Sequence, residues 1–327
     1  MFEEKLRQGM LGSFVADAVA MPVHWYYDVE AMDRDYGEID DYLNPRNPHP
    51  DSLLHRAFDE IPDPIAEILH DQSRYWGMAG THYHQFLTAG DNTINYRLAA
   101  ELFQMIVTDE EYQSEKWLHH YISRMKTPGW NKDTYLEEYH RGFFMKLADG
   151  KSPGECAIDD HHIGGLSQIP ALIAGLAAMG DDRLDFIRAK VQRHIELTHA
   201  NKSVIRSGDI LARLLYRIAE GDDLEVAYQG EVSSMIPMEY FQRWEKMEDR
   251  QVIGQLLSPA CYIEQSFPSS LFLVWKYRND FTGGVIANAR VGGDNCHRGA
   301  VVGSLLGALN GVPEKWFQKK WNETLPA

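Results

Sequence analysis

The sequence predicts an all-α protein, a compact bundle of many helices, and three observations carry that expectation. Apolar residues recur at three- and four-residue spacing along most of the chain, and convincing alternation of apolar and polar residues is absent. Two segments carry small residues at every fourth position, Gly12, Ala16 and Ala20 in one and Gly299, Gly303 and Gly307 in the other. Such faces let two helix backbones approach closely. Gly, Pro, Asn and Asp cluster between the periodic stretches, where turns are needed.

Taken in order, "EKLRQGMLGSFVADAVAMPV" reads as a helix that Pro22 ends. Residues 29 to 58 read as a long loop, the kind that acts as a lid or binding loop, and 59 to 77 as mixed loop and helix. The runs "INYRLAAELFQMIV", "EYQSEKWLHHYISRMK" and "TYLEEYHRGFFMKLADG" read as amphipathic helices. The loop "KSPGECAIDDHHIGG" then leads into "LSQIPALIAGLAAM". Two helices joined at "THANK" follow, and "SFPSSLFLVWKY" and "DFTGGVIANARV" precede the last motif. In "VGGDNCHRGAVVGSLLGALNG", Gly292 and Gly293 permit a tight turn and Asp294 or Asn295 serves as N-cap. About a dozen helices are expected in a single domain over residues 1–327.

Composition narrows the function. At 327 residues and 44% hydrophobic content the chain buries a large core. A formal net charge of −16 disfavours a nucleic-acid partner, because counterion release needs a lysine- and arginine-rich face. There is no run of about 18 apolar residues to span a membrane, and "MFEEKLRQGM" lacks a signal-peptide segment. Cys156, Cys261 and Cys296 form no CxxC pair, which argues against a disulfide scaffold or zinc finger and fits a cytoplasmic protein.

Three loop-to-helix junctions hold the candidate chemistry: "GDNT" at 90–93, "DDHHIGG" at 159–165 and "GGDNCH" at 292–297. Each sets oxygen or nitrogen ligands ahead of a helix, where hard cations or phosphates are met. Plain capping accounts equally well for Asp91 and Asp294, and a solvated loop for His161 and His162. Cys296, in a first helical turn, has the setting that lowers a thiol pKa, although a cytoplasmic cysteine is more commonly a small buried hydrophobe. His24 and Trp25 stand where a flat ring could be lined, or where a core histidine would sit. His82 and His84 alternate in "THYHQF", and His199 sits at a helix corner.

In this order and spacing the pieces resemble the ADP-ribosylglycohydrolase family, over nearly the whole chain. "GMLGSFVADAVAMPVHW" resembles its GxxxGDAxGxPxE motif and "TAGDNT" takes the place of TDDT. "HHIGGLSQIPAL" resembles GNGxxMRxxP, "LTHAN" matches the TH corner, and "GGDNCHRGAVVGSLLGALNG" takes the place of GGDTDTxxxxxGxxxGAxxG. The resemblance implies an all-α bundle whose central cleft typically holds two magnesium ions, and a small nucleotide or ADP-ribose-type ligand. The metal positions here read Asp91, Asn92, Asp294, Cys296 and His297, and His24 replaces the acid of the first motif. Such a set implies one divalent ion, or a softer metal such as zinc or iron(II), rather than a magnesium pair. "DNCHRG" and "ADAVAMPVHW" are similar to a branch containing jellyfish J-type crystallins and selenoprotein J, which makes Cys296 a chemical position.

Three functions follow from the resemblance. In the first, Asp91 and Asp294, with Asn92, hold one ion and a carboxylate acts as base in hydrolysis of a glycosidic bond to ADP-ribose. There Gly164, Gly165 and Ser167 would hold the diphosphate, with Trp25, His162 and His199 beside the ligand. In the second, Cys296 is a nucleophile helped by His297 or His24. The third is ligand binding or a structural role without turnover, as crystallin relatives suggest.

Overall fold

A computed structural model describes residues 1–54 and 66–317. Among these residues the fold is helical; its only β-type pairings are isolated bridges such as Ile158 with His199. The first helix, α1 (Phe2–Ala20), is buried from Gly9 onward. After the short turn Met21–Val23 comes α2 (Val29–Tyr36), then α3 (Ile94–Asp109), α4 (Ser114–Met125), α5 (Glu138–Ala148) and α6 (Ile169–Ala178). The second half contains α7 (Leu184–Ile195), α8 (Lys202–Glu220), α9 (Leu224–Glu231), α10 (Met238–Trp244) and the single turn α11 (Asp249–Gln251). It closes with α12 (Ile263–Lys276), α13 (Phe281–Arg290) and α14 (Asn295–Asn310). No helix among the described residues is long and apolar enough to cross a membrane.

The small-residue faces of α1 and α14 meet. A Cβ added at Gly303 would lie 2.2 Å from the Gly12 carbonyl oxygen, and one at Gly12 would lie 2.2 Å from that of Gly303. At Gly307 it would lie 2.4 Å from the Gln8 carbonyl oxygen. The two backbones therefore touch, and α6, α8, α12 and α13 pack around the pair. Buried Phe14, Leu305, Leu211, Phe267 and Val285 fill the space between these layers.

Two segments differ from expectation. Residues 29–36 of the expected loop are helical, because Asp28 caps the Ala31 amide at 2.9 Å and Gly37, at φ 63°, ends the turn. The remainder to residue 54 is irregular, and residues 70–75 form a short 3₁₀ stretch. The expectations for residues 55–65, and for the last ten positions of the proposed domain, lie outside the described residues. Between 224 and 256, α9, α10 and a π-type turn at Val252–Leu256 form where no helix was read.

The backbone contact makes an unequal pair of substitutions informative. A Cβ at Gly299 would approach Ala16 and Asp17 only to 3.2 Å, against 2.2 Å at Gly303. Gly303→Ala is expected to lower unfolding free energy by about 3 kcal/mol, and Gly299→Ala by under about 1 kcal/mol. Urea denaturation of both variants checks this; equal effects would remove the contact from the account.

Candidate active site

The turn after α1 and the turn before α14 are built against each other. Gly292 and Gly293 take φ of 67° and 63°, and a Cβ on them would lie 2.3 Å from the Tyr26 carbonyl oxygen and 2.1 Å from that of Pro259. Only glycine suits both the conformation and the space. Trp25 N donates to Gly293 O at 2.8 Å and Gly293 N to Tyr26 O at 2.6 Å. The fully buried Arg298 ties the turn from inside, donating to Gly292 O at 2.6 Å and Pro259 O at 2.9 Å. His24 is thereby set beside Asp294.

Asp294 is the residue before α14, yet its side chain caps nothing. Its Oδ1 lies 2.9 Å from His24 Nε2 and 2.6 Å from His297 Nδ1. The contacts continue both ways. His24 Nδ1 is 2.7 Å from His84 Nε2, and His84 Nδ1 is 2.8 Å from Asp133 Oδ1. On the other side His297 Nε2 is 3.0 Å from Glu137 Oε1. All but Glu137, which is 12% exposed, are buried to 2% or less.

His297 faces a carboxylate with each ring nitrogen, Asp294 with Nδ1 and Glu137 with Nε2, and both contacts are hydrogen bonds only when the ring carries two protons. Burial opposes charge there, but the Asp294 and Glu137 carboxylates on either side raise its pKa well above the ordinary value. Asn95 Nδ2, 2.8 Å from the same Nε2, also donates to Glu137 at 3.0 Å and does not outweigh two anions. Burial pushes His24 down to about 3, against the opposing pull of Asp294, so it stays neutral. Against burial, the His297 imidazolium holds Glu137 down to about 2 and, with His24, holds Asp294 lower still.

Beside this chain lies a cavity of about 150 Å³. Trp25, Tyr83, Tyr135 and Tyr139 line it, together with Glu137, Asp294 and His297. Trp25 adopts φ 60° and stacks on His24 with ring centroids 3.8 Å apart. Asp294 Oδ2 is buried and has no hydrogen-bond partner. His162, Gly164 and Cys261 complete one side.

The other residues singled out in the sequence are placed differently. Asp91 folds back on Thr88, accepting from its amide at 2.7 Å and its hydroxyl at 2.6 Å. Asn92 donates to Asp17 and to Phe14 O, both at 2.8 Å. These two serve the turn and α1 and do not join Asp294. Cys296 corrects the expectation of a lowered thiol pKa. It is fully buried, its sulfur lies 3.7 Å from Asp17 O, and burial together with the Asp17 and Asp294 charges pushes the thiol up. Gly165 and Ser167 give their amides to His162 O and Gly164 O, so neither is offered to a diphosphate. His199 packs behind Gly165 and against Tyr139, and burial lowers it to about 4. His82 and His84, with a loop as their plainest reading, are buried; His82 Nε2 donates to Pro22 O at 2.9 Å.

Asp17, Asp133, Glu137 and Cys261 were not singled out by sequence reasoning. Asp17 had a signal, an acid within the small-residue face of a buried helix. It accepts from Asn92, Thr93 N and Thr93 Oγ1, and burial still raises it to about 6. Asp133 and Glu137 had none.

Two groups of ligand-capable atoms converge among the described residues, His24, His84 and Cys296, and His24, Asp294 and His297, each within 4.8 Å. They contain one carboxylate between them, and imidazoles already hold its Oδ1. That donor set does not fit a pair of magnesium ions, which require oxygen-rich octahedra. Nitrogen and sulfur donors suit a softer ion, whose entry would require protons to leave.

Comparison with known proteins agrees with this architecture. The sequence profile of ADP-ribosylglycohydrolase matches residues 1–325. Crystallin J1A of Tripedalia cystophora is 25% identical over 97% of this chain and 92% of its own. A solved structure described as an ADP-ribosylglycohydrolase-related protein complex superposes with a TM-score of 0.57 at 16% identity, over 96% of this chain and 92% of that one.

Unfolded, Glu137 takes up its proton near 4.5; folded, it stays ionised to about 2. Its contribution to stability is therefore present above about 4.5 and lost as pH falls through about 2. Glu137→Gln is expected to flatten acid unfolding in that window and to cost about 3 kcal/mol at pH 7, because it leaves the imidazolium one-sided. Denaturation curves from pH 2 to 7 test both parts.

Proposed function

This chain belongs to the ADP-ribosylglycohydrolase family, and from that premise we propose that it hydrolyses a glycosidic bond to the ribosyl group of ADP-ribose or a related nucleotide. The observation that carries the reading is Asp294, whose Oδ1 is fixed by two imidazoles while Oδ2, buried and unpartnered, belongs to a residue lining the cavity. A sugar hydroxyl or a water donates to that oxygen. Cleavage at an anomeric carbon passes through an oxocarbenium-like state. Two carboxylates that remain ionised stabilise such a cation without reorganising. Asp294 orients the water by accepting its hydrogen bond; as the new C–O bond forms, the bond to the leaving group breaks, and the leaving group takes that electron pair and the water's proton.

The volume sets what enters. A cavity near 150 Å³ takes one ring of benzene size. The ribose ring therefore occupies it, between the aromatic side chains, and the diphosphate and base stay outside. No lysine or arginine among the described residues lines the cavity, which supports the same orientation.

A single softer ion would compete with protons for His24, Asp294 and His297, the set that converges beside the cavity. The proposed chemistry needs none of its donors to be metallated. Dependence on Cys296 is not supported, given its burial and raised pKa. The likeness to Crystallin J1A favours a second reading, a ligand-binding fold without turnover.

Calorimetry with ADP-ribose, alone and with Mg²⁺ or Zn²⁺, separates these readings when paired with release assays on N- and O-linked substrates. The proposal expects binding and turnover indifferent to Mg²⁺, a loss of about 10²-fold or more in Asp294→Asn, and retention in Cys296→Ser. Zinc is expected to bind with proton release and to inhibit. Binding of ADP-ribose with no release from any linkage would establish the second reading instead.

A further inference from the structure

The geometry points to Cys261, His162 and Asp160 as a second reactive centre, in which a thiol paired with a carboxylate-oriented imidazole attacks uncharged carbon electrophiles that enter the cavity. Backbone pairing fixes the partners. Ile163 N donates to Cys261 O at 2.9 Å and Ile263 N to His161 O at 2.8 Å, with His162 and Tyr262 as an antiparallel bridge. The two loops are zipped with Cys261 opposite Ile163 and His162 opposite Tyr262, which makes Cys261 and His162 diagonal neighbours.

His162 is aimed by Asp160. Its Nδ1 lies 2.9 Å from Asp160 Oδ1, which also accepts the His162 amide at 2.7 Å. Cys261 lines the same cavity wall as His162 and is close enough to act on its charge. Nucleophile, base and orienting acid in hydrogen-bond sequence are what thiol activation requires. Asp160 is 4% exposed and its Oδ2 has no partner, so its charge acts on the imidazole. Although burial opposes it, His162 is raised to about 11 by Asp160 and Cys261, and is an imidazolium at neutral pH. Tyr27 and Tyr135 also face the thiol, His161 and Tyr262 flank the imidazole, and His199 faces Asp160 from behind.

Access separates this thiol from the others. Cys261 is half-buried on the cavity wall, whereas Cys156 and Cys296 are buried. The same wall holds the unpartnered Asp294 Oδ2, an acceptor for a ligand's N–H or O–H. Among the described residues Glu137, Glu138 and Asp294 line the cavity against the imidazoliums of His162 and His297, and no lysine or arginine does, so a neutral electrophile carrying a donor, such as an amide, is favoured over an anionic one. With iodoacetamide the balanced step is simple. The Cys261 thiolate attacks the methylene carbon, the S–C bond forms as C–I breaks, and iodide leaves with the electron pair while the thiol proton stays on His162.

This inference stands apart from the glycosidic reading, and its test needs no substrate. Native protein is alkylated with iodoacetamide or iodoacetate from pH 6 to 9, and each cysteine is followed by peptide mass spectrometry against the same cysteine in urea. Cys261 is expected to react first, at least about tenfold faster at pH 7 than in urea. Its preference for iodoacetamide over iodoacetate should exceed that of the unfolded chain. His162→Gln should slow it about tenfold or more at pH 7, and Asp160→Asn should act in the same direction, each variant checked for its native helical signal. A Cys261 that reacts no faster folded than unfolded would overturn the inference, as would one indifferent to both substitutions.

Discussion

The contact between α1 and α14, carbonyl against glycine at Gly12 and Gly303, is the constraint on which the rest depends. It has no side-chain component to adjust. Once the two backbones touch, the turns at one end of the pair meet as well, and His24, Asp294 and His297 are fixed with respect to one another to within hydrogen-bond tolerance. The surrounding helices then bury the pair, and burial decides the electrostatics. His24 becomes neutral and Cys296 stays a thiol because water is excluded from them.

Where the family resemblance implies two magnesium ions, this chain has imidazoles and protons. Charge is balanced by the imidazolium of His297, held between Asp294 and Glu137. A proton is held by one bond line rather than six ligands, so the charge can sit within a row of rings. The row ends at carboxylates, and Asp133 is itself anchored by the Ile94 amide at 2.6 Å, the first residue of α3. Helix positions thus set the geometry of the charges, because the free amides of a first turn hold the carboxylate that accepts from them.

Much of the fold was legible because small residues every fourth position have few explanations other than close backbone packing. The resemblance motifs also located Asp294, His297, Trp25, His162 and Gly164, which do meet around one cavity or beside it. The remainder was hidden for identifiable reasons. Asp133 and Glu137 sit in a loop and a helix start with no local pattern, and only tertiary folding brings them to His84 and His297. Asp91 misled because a carboxylate before a helix looks the same whether it faces a ligand or its own turn, and here Thr88 takes it. The thiol expectation weighed the helix start and not the depth of the site, so Cys261 was passed over for Cys296.

The joining of α1 to α14 also shapes how the molecule comes together in time. Residues 12 and 303 touch across almost the whole length of the chain, and contacts of such separation form slowly. During synthesis the first helix emerges with its glycine face uncovered and waits for a partner that is made near the end. Until then His24 lacks Asp294 and Glu137 lacks His297 beside it. The charge row is therefore closed in one late step, and a chain interrupted before α14 carries His24, His84 and Asp133 without the two residues that complete the site.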